Sequence, residues 1–474
     1  MRESIRFLLG DQQQDLRQVS PTLTVLDYLR GTAGLTGTKE GCAEGDCGAC
    51  TVVLNDGLQQ RAINACIVFV PALDGKQLLT VEHLRQSDTT LHPVQQAMVD
   101  RHASQCGFCT PGFVMSLYAL QQTGSAPDRA TVNEALAGNL CRCTGYRPIV
   151  DAALYVGAAP VAGQGRTAGL LRTLDVAETL TMNHGGQTYV APRSCDELAD
   201  TLLRYPDAVL LAGGTDVGLW ITKQHRDLAC IVALDAVADL AGIEETGGMI
   251  CIGAGATYED ALGVLQGHYP DLGLLIRRIG SRQIRNRGTI GGNVGNASPI
   301  GDMPPALIAL GATLVLRRGT ERRDVLIEDF FTGYRRTVLA PGEFIERIDV
   351  PVAIPEQRFR CYKVAKRFDQ DISAVCGAFM VTLEGGIVRA IRIGFGGVAA
   401  TPARARNAEA ALIGKPWTEA AVHAAMTALE SDFTPISDMR ASAGYRRTVA
   451  ANLLFKCFLE TNAKAPRTRL EAPV

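Results

Sequence analysis

The chain has 474 residues, which is too long for one ordinary compact domain and predicts three or four. Hydrophobic residues make up 47% and charged residues 20%, so the sequence can build real cores and is not that of a disordered chain. The formal net charge of −2 argues against a dominant nucleic-acid role, because phosphate binding needs a concentrated basic surface.

The first residues form an apolar stretch that is too short for a signal peptide, and no later stretch is long enough to span a bilayer. We therefore expect a cytoplasmic protein with neither a membrane nor nucleic acid as a partner. The 14 cysteines of a chain in a reducing compartment are better interpreted as metal ligands and buried thiols than as disulfides.

The front third of the chain predicts two small domains. Residues 4–9 predict a strand with a partner near 16–19, and Ser20–Pro21 predicts the start of a helix. A cysteine loop and the strand TVVLN follow, which together indicate a ferredoxin-like β domain over 1–85. Residues 86–155 predict a compact helical domain, and 156–185, rich in Gly, Ala and Thr, predict a linker.

The rear of the chain alternates helices with short apolar strands over 186–354. From 355 to 474 a second mixed segment follows, with strand candidates first and amphipathic helices in the last hundred residues. The predicted class is therefore an α+β protein of several domains. The run RRGTERR at 317–323 predicts a solvated hairpin turn.

Eight cysteines lie in the first 143 residues, and the first four of them have the spacing C-x4-C-x2-C with a distant fourth. This is the plant-type [2Fe–2S] spacing, and four thiolates are what two bridged irons require. A four-cysteine zinc site usually pairs two short C-x-x-C-like units, and only one such pair is present here. The predicted ligands of this first group are Cys42, Cys47, Cys50 and Cys66.

The next four cysteines have the spacing C-x2-C and C-x-C, with both pairs predicted at helix ends. Helix N-termini favour negative charge, which suits a thiolate-bound cluster. Zinc is a credible rival for these four alone, but a second cluster beside the first would make an electron wire. The predicted ligands of this second group are Cys106, Cys109, Cys141 and Cys143. For the other six cysteines and the seven histidines we expect structural roles only.

The segments GCAEGDCGACTV, QCGFCTPGF and GNLCRCTGY together resemble the xanthine dehydrogenase (molybdenum hydroxylase) family. The resemblance implies a ferredoxin-like β-grasp [2Fe–2S] domain, a helical-bundle [2Fe–2S] domain, a vanillyl-alcohol-oxidase-like FAD domain over 186–354 and an α+β C-terminal flavoprotein domain over 355–474. The molybdopterin-binding part is missing, so the layout resembles the small iron–sulfur/FAD subunit of bacterial members. KRFDQDISAV and SPIGDMPPALIALGA strengthen that match.

Two glycine-rich segments, AVLLAGGTDVG and TIGGNVGNASPIGD, let main-chain amides approach a pyrophosphate. Neither is a G-x-G-x-x-G fingerprint, and from the residues alone each could be a plain turn. The resemblance implies that they hold FAD. The residues that it places around the pyrophosphate are Leu210, Leu211, Ala212, Gly213, Gly214, Thr215, Asp216 and Val217, with Thr289, Ile290, Gly291, Gly292 and Asn293.

Further flavin contacts implied by the resemblance are Asp302, Ile345 and Lys363. We expect Asp302 to accept a hydrogen bond from a sugar hydroxyl; the alternatives are a turn-capping aspartate and, for Lys363, a solvated strand lysine. Ile279 stands where the family often has an aromatic residue. The segment RFDQD could shape the nicotinamide side of the flavin or simply cap a strand.

The resemblance implies a partner subunit that carries molybdopterin and oxidises hypoxanthine or xanthine, in a heterotetramer of two small and two large subunits. Electrons would pass from the second cysteine group to the first, then to FAD and NAD+. No catalytic base for hydroxylation is expected in this chain. An aldehyde or another N-heterocycle as substrate, oxygen as acceptor, and a zinc-binding or redox-sensing interaction module remain the alternatives.

Overall fold

The computed structural model describes residues 2–85, 87, 90–158, 164–174, 176–462 and 468. Contacts divide the chain into two compact units. The front unit comprises Met1–Ala238 and Gly280–Gly288, and the rear unit comprises Asp239–Ile279 and Thr289–Val474.

The strands are short in the front half of the chain and longer near its end. In chain order they are β1 Ile5–Leu9, β2 Gln12–Leu16, β3 Thr51–Asn55, β4 Gln60–Asn64, β5 Gln77–Leu79, β6 Leu180–His184, β7 Gln187–Ala191, β8 Val209–Leu211, β9 Cys230–Ala233, β10 Ile243–Thr246, β11 Met249–Gly253, β12 Thr313–Arg318, β13 Glu321–Leu326, β14 Phe331–Gly333, β15 Arg336–Thr337, β16 Phe344–Pro351, β17 Gln357–Val364, β18 Val375–Glu384, β19 Ile387–Gly396 and β20 Ala403–Arg404.

The α-helices range from single turns to one long C-terminal helix. They are α1 Val25–Asp27, α2 Pro93–Asp100, α3 Thr110–Gln121, α4 Arg129–Leu136, α5 Arg147–Val156, α6 Gln164–Arg172, α7 Cys195–Arg204, α8 Val217–Thr222, α9 Tyr258–His268, α10 Pro270–Arg277, α11 Arg282–Arg285, α12 Ile290–Gly295, α13 Met303–Leu310, α14 Ile327–Phe330, α15 Arg406–Leu412, α16 Glu419–Leu429 and α17 Ala443–Thr461. A π-helical turn, Tyr28–Thr32, follows α1. Within the described residues, no helix is long and apolar enough to cross a membrane.

The front unit contains two sheets and a helical bundle. The first sheet has the order β2-β1-β5-β3-β4. β3 is buried at every position because Val52 and Leu54 pack in the core of the sheets and Val53 packs in the core of the helical bundle. The second sheet has the order β6-β7-β9-β8. Side chains of both sheets, among them Phe7, Val52, Tyr189 and Ile231, share one core. Helices α2 to α5 pack around a separate core, as the sequence predicts for a helical domain.

The rear unit contains two large antiparallel sheets and a two-stranded one, β14-β15. Of the large sheets, one has the order β10-β11-β16-β12-β13 and the other β17-β18-β19-β20. Helix α13 is buried at all eight positions, which its entirely apolar sequence MPPALIAL allows. The predicted hairpin at 317–323 is confirmed, since β12 and β13 pair from Thr313 with Leu326 to Arg318 with Glu321.

The structure corrects two predicted bounds near the amino end. The partner strand predicted at 16–19 lies at 12–16, because a two-residue turn pairs Leu9 with Gln12. The helix predicted from Ser20 begins at Val25, where the Thr24 side chain accepts the amide of Asp27 as an N-cap.

The predicted linker, 156–185, contains regular structure. It includes α6 and β6, while residues 159–163 and 175 lie outside the described part. The predicted FAD-binding segment, 186–354, is divided between the two units. The sequence does not predict α6, because Gly and Ala in this stretch weaken the apolar periodicity that indicates a helix.

Candidate metal centres and cofactor loops

The first cysteine group lies on one loop and at the ends of two paired strands. Cys42 and Cys47 are half-buried in the loop before β3, whereas Cys50 and Cys66 are buried. The antiparallel register of β3 and β4 places Cys50, directly before β3, beside the segment after β4 where Cys66 lies. The strand pairing therefore brings the distant fourth cysteine to the other three.

The thiols of this group are in mutual contact. The Cys42 thiol meets those of Cys47 and Cys66, and the Cys66 thiol also meets that of Cys50. The hydrogen bonds from Cys47 and then Cys66 hold the pKa of the Cys42 thiol well below its ordinary value. The amides of Asp46 and Cys47 donate to Cys42 Sγ at 3.4 and 3.3 Å. This loop thus stabilises a thiolate at Cys42 with main-chain donors.

The second cysteine group lies at the start of α3 and on the loop before α5. Its thiols meet in two pairs, Cys106 with Cys143 and Cys109 with Cys141. Burial, and then the contact with Cys141, raises the pKa of the Cys109 thiol to about 12. Burial also acts on Cys141, but hydrogen bonds from Thr144 outweigh it and lower the pKa of that thiol.

The two thiol pairs of the second group suit a dinuclear centre, because each iron of a [2Fe–2S] cluster takes two of the four thiolates. Across the described residues, no three Cys, His, Asp or Glu side chains are arranged to hold a single metal ion. The residues of both groups fit [2Fe–2S] clusters in their donor chemistry and pairing. The assignment of the eight cysteines as ligands stays a prediction.

The two cysteine groups are joined by direct main-chain contact. The amide of Leu140 donates to the carbonyl of Cys47 at 3.0 Å, and the Asn139 side chain donates to Gly48 O at 3.1 Å. Gly48 has φ +70°, and a Cβ there would lie 2.1 Å from Gly138 O. Only glycine permits this approach, which brings the loops of the two groups together.

A buried polar network supports the junction, and no pattern in the sequence predicts it. Gln283 Nε2 donates to Asn139 Oδ1 at 3.0 Å and to Ser116 Oγ at 3.2 Å. Ser116 in turn donates to Asn139 Oδ1 at 2.7 Å, and Asn139 Nδ2 donates to Thr51 Oγ1 at 3.3 Å. The only local signal is the position of Asn139 beside the C-x-C pair.

The first glycine-rich segment connects β8 to α8 in the front unit. Gly214 has φ +77°, which turns the chain, and a Cβ on Gly213 would lie 1.8 Å from Arg287 O. A Cβ on Gly218 would lie 2.6 Å from the carbonyl of Ile67, next to the ligand candidate Cys66. The predicted flavin segment therefore packs directly on the first cysteine group.

The second glycine-rich segment forms α12 in the rear unit. Thr289 caps it, and its hydroxyl accepts the amide of Gly292 at 2.9 Å. The amides of Ile290 and Gly291 donate to carbonyls of the same unit at 3.1 Å each, and that of Asn293 donates to Thr289 O at 3.0 Å. These amides are therefore already bonded within the protein. A ligand at this loop would contact the exposed Gly292 backbone and the Asn293 side chain instead.

Asn293 gives the clearest sign of an absent polar ligand. Its Oδ1 is shielded from solvent and lacks a hydrogen-bond partner among the described residues. A buried amide oxygen of this kind is costly unless a partner satisfies it. The loop thus fits a ligand with hydroxyl or amide donors, such as the ribityl and ribose groups of FAD.

Asp302 and Lys363, predicted separately, are paired in the rear unit. Lys363 Nζ donates to Asp302 Oδ2 at 2.7 Å, and both residues are less than a tenth exposed. Ser373 Oγ donates to the other carboxylate oxygen at 2.5 Å, and Asp302 does not cap α13 with its side chain. The alternatives of a capping aspartate and a solvated lysine are therefore wrong. The predicted sugar contact stays a prediction.

The two remaining predicted contacts are apolar. Ile345 is buried on β16, and Ile279 is partly buried after α10; both pack in the main core of the rear unit. The RFDQD segment lies between β17 and β18, and Asp371 accepts the amide of Arg367 at 2.8 Å. Its acidic end therefore caps its own turn, and its role toward a flavin stays a prediction.

Four family models match the chain in succession. They are a "2Fe-2S iron-sulfur cluster binding domain" at 9–71 and a "[2Fe-2S] binding domain" at 80–154. They continue with the "FAD binding domain in molybdopterin dehydrogenase" at 182–353 and the "CO dehydrogenase flavoprotein C-terminal domain" at 360–461.

Curated relatives and solved structures agree with these matches. Xanthine dehydrogenase of Emericella nidulans is 34% identical over 96% of this chain, and xanthine dehydrogenase 1 of Arabidopsis thaliana is 31% identical over 92%. This chain covers 38% of each, about two fifths of their length. Carbon monoxide dehydrogenase from Hydrogenophaga pseudoflava matches with TM-score 0.54 and 33% identity over 56% of this chain and 93% of that one. Quinoline 2-oxidoreductase from Pseudomonas putida 86 matches with TM-score 0.53 and 28% identity over 57% and 95%.

Proposed function

The chain belongs to the molybdenum hydroxylase family, and on that premise we propose that it is the electron-transfer subunit of a xanthine dehydrogenase. In this role it binds two [2Fe–2S] clusters and FAD. A partner subunit carries the molybdopterin cofactor and hydroxylates hypoxanthine or xanthine. NAD+ is the final acceptor of the electrons.

The observation that carries the proposal is the junction of the two cysteine groups. Each group brings its thiols into contact with one another, and the Leu140 amide donates directly to the carbonyl of Cys47 at 3.0 Å. Leu140 precedes Cys141, so a short main-chain path joins a ligand candidate of one group to a ligand candidate of the other. Such an arrangement supports transfer of electrons between the two groups, and the order from the second group to the first is what the family resemblance implies.

The flavin supplies the last chemical function of the relay, because it accepts electrons singly and releases them as a hydride. The packing of Gly218 against Ile67 supports its place after the first group, since the predicted flavin segment rests on the loop of Cys66. Xanthine as substrate is supported by the curated relatives, which are xanthine dehydrogenases.

We further propose a cytoplasmic heterotetramer of two such chains and two molybdopterin-binding partners. In the part of the chain that the structure describes, all 14 cysteines are free thiols. Free thiols are consistent with a reducing compartment. The solved carbon monoxide dehydrogenases, of whose matched chains this chain covers 93% and 94%, support a molybdopterin-containing partner subunit.

The solved structures favour a second candidate with the same relay. Their printed names are carbon monoxide dehydrogenase and quinoline 2-oxidoreductase, so this fold also serves other substrates. An aldehyde or another N-heterocycle could then replace xanthine, and oxygen could replace NAD+. Steady-state rates of the enzyme reconstituted with its partner, measured with each substrate and acceptor, separate the two candidates.

The relay order is tested by the substitution Cys47→Ser in the complex of this chain with its partner. We expect reduction of NAD+ by xanthine to fall at least a hundredfold, because the first group would no longer hold its cluster. Oxidation of NADH by an artificial acceptor should stay within about twofold, since it needs only FAD.

Cys230→Ser is the matched control, because Cys230 is a half-buried cysteine outside both groups. It should leave both activities near wild type. Equal loss of both activities in Cys47→Ser, with FAD content unchanged, would contradict the relay order.

A further inference from the structure

The first cysteine group is held by side chains at the end of α8, within the front unit. Thr222 Oγ1 donates to Ala43 O at 2.7 Å, and Lys223 Nζ donates to the carbonyl of Cys42. The ammonium also lies 3.8 Å from the Glu44 carboxylate. Two consecutive side chains thus bind the first residues of the predicted ligand loop.

The same helix begins at the predicted flavin segment. α8 starts at Val217, one residue after Asp216, and its Gly218 packs on Ile67 beside Cys66. One short helix therefore touches the first cysteine group at two places, on the loop of Cys42 and on the segment of Cys66. A change in the position of α8 would therefore alter the surroundings of both Cys42 and Cys66.

Lys223 adds a charge as well as a contact. A [2Fe–2S] cluster bound by four thiolates is negatively charged, and reduction makes it more negative. A cation bonded to the main chain of a ligand residue favours the reduced form, whereas a nearby carboxylate opposes it. The Lys223 and Glu44 side chains are 40% and 44% exposed, so solvent and salt moderate both effects.

We propose that Lys223 is a positioning residue that raises the reduction potential of the first cluster, with Glu44 acting against it. The inference rests on the proposed function, because it requires a cluster at Cys42, Cys47, Cys50 and Cys66. Its consequence is directional: the ammonium makes the first cluster a better acceptor for electrons that arrive from the second.

The test is a redox titration of the purified full-length chain, followed by electron paramagnetic resonance, with the second cluster as internal reference. Lys223→Met should shift the electron distribution between the two clusters away from the first by about tenfold, which is 59 mV for a one-electron couple. Glu44→Gln should shift it the other way. Lys223→Arg should keep the wild-type potential, and the Lys223→Met shift should shrink as salt is raised.

Arg226→Met is the matched control. It removes one positive charge close in sequence to Lys223, from a guanidinium that stacks on Trp220 at 4.1 Å. It should leave the potential of the first cluster within error of wild type.

An unchanged potential in Lys223→Met, or an equal shift in Arg226→Met, would overturn the inference. If Lys223→Met fails to assemble the first cluster, Glu44→Gln decides: a raised potential supports the inference, and an unchanged or lowered one overturns it. Wild-type chain that contains no iron or sulfide would instead overturn the proposed function, so the two failures are distinguishable.

Discussion

At the scale of single residues, the rear unit depends on a buried ion pair next to a predicted cofactor loop. Asp302 accepts from Lys363 at 2.7 Å and from Ser373 at 2.5 Å, with 7% and 8% of Asp302 and Lys363 exposed. A buried carboxylate that loses its cation leaves an uncompensated charge, whereas removal of both charges does not.

We therefore predict that Lys363→Met lowers the free energy of unfolding by about 3 kcal/mol, measured by urea denaturation with rear-unit fluorescence. The double variant Lys363→Met/Asp302→Asn should recover more than half of that loss. Lys415→Met, at an exposed lysine, is the control and should change stability by less than about 0.5 kcal/mol. A double variant as unstable as Lys363→Met would contradict the charge argument.

A second residue-scale prediction concerns pH. Glu328 is 4% exposed at its side chain and accepts from Arg392 at 2.7 and 2.8 Å and from Arg404 at 3.0 Å. Burial acts to raise the pKa of Glu328, but the bonds and charge of Arg392 outweigh it, so the pKa is lowered. A carboxyl group whose pKa is lowered on folding stabilises the fold at pH values above the ordinary glutamate pKa. This stabilisation is lost as the pH falls through the lowered pKa.

Glu328→Gln should accordingly cost about 2 kcal/mol at pH 7 and progressively less below about pH 4.3. Urea midpoints across pH 3 to 7 provide the measurement. Glu384→Gln, at an exposed carboxylate, should show a midpoint difference that does not depend on pH. A Glu328→Gln deficit that stays constant from pH 7 to pH 3 would rule out this explanation.

At the scale of elements, the glycine-rich segments are fixed by close main-chain approach. Gly213→Ala places a Cβ 1.8 Å from Arg287 O, so the turn after β8 has to move. We predict that this variant binds at least tenfold less FAD than wild type, measured by visible absorbance of the desalted chain. Gly263→Ala in α9, where a Cβ meets open space, should bind FAD normally. Normal flavin content in Gly213→Ala would remove this segment from the proposed site.

The elements also show what the sequence can and cannot predict. The cysteine spacing alone selects the eight candidate ligands, because ligand chemistry fixes residue type and local separation. The helix start at Thr24 was missed because Pro21 is a stronger signal than a single N-cap threonine. The bonds of Gln283 to Asn139 and of Lys223 to Cys42 join residues 144 and 181 positions apart, which no local pattern records.

At the scale of the whole molecule, the front unit contains both cysteine groups and the first glycine-rich segment, and the rear unit contains the second. The predicted order of modules along the chain agrees with the four family matches. The predicted single FAD-binding segment nevertheless belongs to two units, because residues 186–238 and 280–288 join the front unit and the rest joins the rear unit. That division could not be predicted, since it depends on contacts distant in sequence.

We propose that this one chain binds two [2Fe–2S] clusters and one flavin. The most direct test is quantification of iron, acid-labile sulfide, zinc and FAD in the purified chain, together with its visible spectrum. We predict about four irons, four sulfides and one FAD per chain. Zinc without flavin, in a preparation never exposed to oxidants or chelators, would contradict the relay and leave a metal-binding interaction module.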